Sequence, residues 1–216
     1  MPNNQRFWGW VVFAMCIGAY TPLVIGGWQH PIEINVACFS LWLILTMMFM
    51  ITMKLKKFEG WRLALGYLIG NAAMVVLGVS RGGYTFNLGL AEKVVLYGII
   101  STVCLWTIVG TVKTAIGTTD KRWDPNIIYW GGITADILSF YPQLKQYFGP
   151  HERPTVWLII GWTLFGVGAL VNIIKVERLP DIFVKKEKTV LSALNESAFS
   201  IENFVFIILT TIVMAR

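Results

Sequence analysis

The feature that most constrains this chain is the length of its apolar runs. Stretches of roughly 17–25 residues, long enough to cross a hydrocarbon core, follow one another with short clusters of charge between them. Only 14% of the 216 residues are charged, against about 25% in a typical soluble domain, and the mean hydropathy is +0.62. The runs do not alternate apolar and polar residues, as the strands of a membrane barrel would. The pattern predicts an all-α polytopic membrane protein with seven transmembrane helices. They are placed at about 7–27, 34–53, 61–80, 92–116, 127–148, 155–175 and 199–215. The first run lacks a small-x-small cleavage site and is read as a retained span, not a signal peptide.

The formal net charge of +6 does not point to nucleic acid, because the basic residues flank the spans and act there as a topology signal. Arg81, Lys93, Lys145, Arg153 and Arg216 fall on one side, and the remaining 13 of the 18 Lys and Arg share a side with the N-terminus. The positive-inside rule then puts the N-terminus in the cytoplasm of a plasma (inner) membrane. Cys16, Cys38 and Cys104 all lie in apolar runs, which supports neither a disulfide framework nor a metal site. No span pairs a nucleophile with a base or gathers metal ligands, so the chain reads as a non-enzyme without a cofactor. The connector Val176 to Ser200, with Arg178, Lys185, Lys186 and Lys188, reads as a solvated loop running into the last helix, which is expected to start near Thr189.

Sliding the chain by 120 residues aligns Trp10 with Trp130, Pro22 with Pro142 and Trp42 with Trp162. Rare residues at matching depths mark an internal repeat. It divides the chain into a first triple-helix unit over 1–82, a linker helix over 83–120 and a second triple-helix unit over 121–216. Three helices end on the side opposite their start, so a single linker helix makes the two copies parallel. Parallel repeats place a substrate at their interface near the midplane.

Ser139-Phe140-Tyr141-Pro142-Gln143-Leu144 resembles the PQ-loop signature of the PQ-loop/SWEET superfamily, and Trp162-Thr163-Leu164-Phe165-Gly166 resembles a second-helix pattern of the SWEET transporters. The first repeat keeps less of this, with Thr21-Pro22-Leu23 and an isolated Trp42. The resemblance implies a 3-1-3 arrangement and a transporter that moves a small polar solute, sugar first, by alternating access. It also implies that Trp42 and Trp162 line the solute path. An Asn is expected on the third helix of each repeat, with Asn71 and Asn203 as its candidates. The charge count opposes the outside N-terminus of typical eukaryotic members.

The residues themselves sharpen these expectations. Pro22 and Pro142 each remove a backbone hydrogen bond inside a span, and as a pair they make hinge candidates, with Tyr141 and Gln143 completing the motif. Ordinary transmembrane proline is the plainer reading. Mid-span indoles present flat faces and one N–H donor, though packing against lipid would also account for them. Asp136 falls near the bilayer centre, where an ionised carboxylate costs about 2.5–3.5 kcal/mol. It is expected to be neutral at rest or to face a wet cavity, which suits proton coupling or contact with a polar solute. Its repeat mate is Cys16, so the acid breaks the symmetry. Asn172 reads as a hydrogen bond between helices. Two alternatives stay open, a proton-coupled carrier of an amino-acid-type solute using Asp136 and a non-transporting receptor of the same fold. The partners implied are a small polar solute and the lipid bilayer, with further copies of the chain admitted.

Overall fold

A computed structural model of the chain describes residues 2–31, 34–83, 125–148, 155–179 and 190–215, with isolated positions between 97 and 117. Six helices account for almost all of them: α1 (Pro2–Gln29), α2 (Val36–Leu55), α3 (Trp61–Arg81), α4 (Pro125–Phe148), α5 (Val156–Val171) and α6 (Val190–Met214). A π-helical turn, Asn172–Val176, continues α5. Five segments are long and apolar enough to cross a membrane: Asn4–Gln29, Val36–Lys54, Trp61–Arg81, Val156–Val176 and Ser192–Met214. They mark an integral membrane protein. More than half of the span expected at about 92–116 lies outside the described residues.

Local chemistry sets several helix ends. The Asn35 side chain accepts a hydrogen bond from the Cys38 amide at 3.0 Å, capping the otherwise unpaired amides at the start of α2. Gly82 ends α3 in the left-handed region, at φ 73, where the lack of a Cβ removes the steric cost. The last helix begins at Val190, beside the expected start near Thr189. Its membrane-length apolar stretch begins at Ser192 and not near 199. Ser197 and Ser200 interrupt the apolar run, but both are buried and their hydroxyls find partners inside the protein.

The six helices close into a ring. α3 packs on both α1 and α2, α6 packs on both α4 and α5, α1 packs on α5, and α2 packs on α4. Contacts at the two ends fix the directions. Gln5, at the start of α1, donates to the Val176 carbonyl at the end of the π turn. At the other end of α1, Gly26 lies against Thr155 and Trp157 at the start of α5. These helices are therefore antiparallel. α2 and α4 are antiparallel too, since Cys38 meets Ser139 and Phe49 meets Gly132. The outer faces carry exposed apolar residues such as Val76, Val79, Val205 and Ile212, the surface a lipid-facing bundle requires.

Candidate functional site

All six helices contribute to one cavity at the centre of the ring. α1 supplies Tyr20, α2 supplies Phe39, Trp42 and Thr46, and α3 supplies Tyr67 and Asn71. From the other half, α4 supplies Asp136 and Phe140, α5 supplies Trp162 and Phe165, and α6 supplies Asn203 and Ile207. On every helix that gives more than one residue, the spacing is three or four, which brings successive turns to the same face. The sequence-predicted residues Trp42, Trp162, Asn71, Asn203 and Asp136 are thus brought together from five helices.

Trp42 and Trp162 meet edge to face across the cavity, with ring centroids 5.6 Å apart, a favoured aromatic geometry. Phe140 packs against Trp42 at 4.8 Å. The free volume left is about 30 Å³, room for about two waters. Neither indole belongs to the lipid surface.

The polar groups form two clusters. In the first, the Tyr20 hydroxyl donates to Asn71 Oδ1 at 2.6 Å. Gly70 makes this possible, because a Cβ there would overlap the Tyr20 ring. In the second, the carboxyl groups of Asp136 and of Glu202 on α6 are neighbours. Two buried carboxyls side by side resist both being ionised. Ser139 donates to the Asp136 backbone carbonyl at 2.6 Å and stands 3.3 Å from Asp136 Oδ1, and Asn203 donates to Glu202 Oε2 at 3.0 Å. None of the described residues lining the cavity is basic.

Two donors at the cavity have no partner among the described residues. They are the Trp42 indole N–H and the Tyr67 hydroxyl, both buried. A buried polar group left unpaired costs about 1–3 kcal/mol, so these atoms are groups a ligand or water would satisfy.

Pro22 and Tyr141 are not among the described residues that line the cavity. α1 runs unbroken through Pro22, and α4 spans Pro142 and Gln143, whose side chains lie outside the described residues. Tyr141 is 46% exposed on the outer side of α4.

A third polar cluster closes the end of the ring where α1 begins. Glu177 Oε1 accepts from Asn172 Nδ2 at 2.9 Å and from Ser200 Oγ at 2.7 Å. Asn172 also donates to Ser200, so its expected role between helices is realised. Gly60 lies directly over this carboxyl, and a Cβ there would come within 2.7 Å of Oε1. Burial pushes the Glu177 carboxyl up to about 8. Its Oε2 and the neighbouring Asn172 Oδ1 both lack a donor. A proton on Oε2 would serve both, closing the two-bond ring that a carboxylic acid makes with an amide.

Sequence reasoning missed Glu202, Tyr20, Tyr67 and Glu177. Glu202 was detectable by the rule that singled out Asp136, an acid inside an apolar run. The two tyrosines carried no signal that separates them from packing aromatics.

Compared with protein-family models, curated proteins and solved structures, the chain gives no match.

Proposed function

We propose that this protein is a membrane transporter that carries a small polar solute through the central cavity by alternating access between two three-helix units. The observation that carries the proposal is the cavity itself. It lies midway along the helices, every helix of the ring lines it, and it gathers aromatic faces, amides and acids where a bundle built only for stability would have an apolar core. The 3-1-3 architecture is supported by the packing. Exchanging α1, α2 and α3 for α4, α5 and α6 turns the set of helix contacts into itself. Tyr20 and Phe140 both line the cavity and stand 120 residues apart, the offset of the two tryptophans. α3 ends on the side opposite the one where α4 begins, as a single intervening crossing requires.

In the present conformation the cavity is too small for a sugar. A solute must therefore enter with Trp42 and Trp162 apart, and the paired prolines Pro22 and Pro142 are candidate hinges for that motion. The neighbouring buried acids Asp136 and Glu202 favour the proton-linked form of the reading over a simple facilitator, because such a pair is suited to take up and release a proton.

The test is uptake into liposomes of sugars, amino acids and amines, each with and without a pH gradient. Saturable flux that is lost in the Trp42→Ala, Trp162→Ala double variant is the expected result. Ligand binding without flux for any solute would replace the transporter with a receptor.

A further inference from the structure

Resting on the reading of the cavity as a transport site, we propose that it exchanges a proton for a small organic ammonium ion. Asp136 and Glu202 hold the proton when the cavity is empty, and they hold the ammonium against the aromatic wall when it is loaded.

The argument begins with charge. Asp136 is 2% and Glu202 7% exposed, and two neighbouring buried carboxyls resist both being ionised. With one proton only, the pair would keep a full negative charge inside a membrane, a costly state without a counter-ion. Among the described residues, the groups facing it supply none. α1 presents Tyr20, with the Cys16 thiol beside the tyrosines, α3 presents Tyr67, and α2 presents Cys38. α5 presents only Trp162 and Phe165. The neutral empty site therefore carries two protons, and a monovalent cation that replaces one of them leaves the site neutral again. Either occupant completes the charge balance, and the site resists having neither. The stoichiometry is one proton released to solution for each cation bound.

The remaining features select an organic cation. Seven of the twelve lining residues are aromatic, and ring faces attract a soft, weakly hydrated ammonium, whereas a metal ion needs several oxygen ligands. The unpaired Trp42 N–H and Tyr67 O–H belong to side chains only 6% and 5% exposed. The Tyr67 hydroxyl lies close enough to both carboxyls to feel their charge. These two donors need an acceptor, so the ligand fits best with a hydroxyl or carbonyl oxygen a few atoms from its ammonium group.

The experiment uses the purified full chain in detergent, with choline as the probe and its uncharged carbon isostere 3,3-dimethyl-1-butanol as control. Binding is followed by tryptophan fluorescence, and proton release by a pH dye in weak buffer. The expected result is saturable choline binding at least tenfold tighter than that of the alcohol, with one proton released per choline. Trp42→Phe should bind about tenfold more weakly and still release the proton. The Asp136→Asn, Glu202→Gln double variant keeps shape and hydrogen bonding but removes both acids, and it should lose binding and release together. Equal binding of the two probes, choline binding without proton release, undiminished binding by the double variant, or no choline binding by the folded native chain would each overturn the proposal. Choline binding with proton release but no flux in liposomes would remove the transport reading and leave this one standing. Sugar flux without choline binding would do the reverse.

Discussion

At the scale of single residues, the chain carries its chemistry in a few buried polar groups whose placement can be tested one at a time. Glu177 is the clearest case outside the spans. Its folded pKa is raised to about 8 by burial, so its contribution to stability is complete below the unfolded value and fades as pH climbs through about 8. Melting temperature should therefore fall from about pH 4.5 to about pH 8 in the native chain. In Glu177→Gln, which keeps an acceptor for Ser200 without a titrating proton, that fall should flatten. A fall of the same size in the variant would assign it to other groups. The same scale shows where the sequence was readable. Asp136 was legible because a carboxylate in an apolar run has few harmless explanations, and Trp42 and Trp162 because they share a register. Glu202 needed only the same rule. Tyr67 was not legible at all, since its importance comes from a hydroxyl that finds no partner, a fact of three dimensions.

At the scale of elements, helices α1 and α3 are held close by an absence of side chain. The Tyr20 ring lies where a Cβ of Gly70 would be, and its hydroxyl reaches Asn71 one residue further along α3. Gly70→Ala would add a good helix former and should still destabilise, because a rigid ring must leave its place. We expect a loss of about 1–3 kcal/mol, the range for overpacking a core, read as a lower melting temperature in detergent. An unchanged melting temperature would mean that Tyr20 has a second, equally good position. Apolar length placed α1, α2, α3 and α5 to within a few residues of the structure. The last helix starts beside the expected Thr189. Apolar length nonetheless placed the start of its span at 199, where the structure has Ser192, because hydropathy treats Ser197 and Ser200 as exposed. Both instead satisfy buried partners around Glu177, and side-chain hydrogen bonding across 23 residues of chain leaves no periodic trace.

At the scale of the whole molecule, a ring of six helices can open on one side only by parting the contacts at that end. The side where α1 ends is held by Gly26 against Thr155, whose Oγ1 would lie 3.1 Å from a Cβ on Gly26. A Gly26→Cys, Thr155→Cys pair, in a background with Cys16, Cys38 and Cys104 replaced, should therefore form a disulfide under mild oxidation. The bridge should abolish solute flux at least tenfold and reversibly, with recovery on addition of a reductant. Full flux in the oxidised protein would mean that this end does not move. The ring itself was legible only as a count of spans and a pair of matching offsets. Which helix touches which depends on side-chain fit, and that is not ordered along the chain.

Trp42 and Trp162 meet in the middle of this ring, so the insulation that lipid provides everywhere else is there provided by two side chains. In the proposed cycle, those indole rings can part without electrical leak only while one end of the helix ring stays closed. A variant that holds both ends apart should then turn the carrier into an ion leak, and single-molecule current recordings would register it.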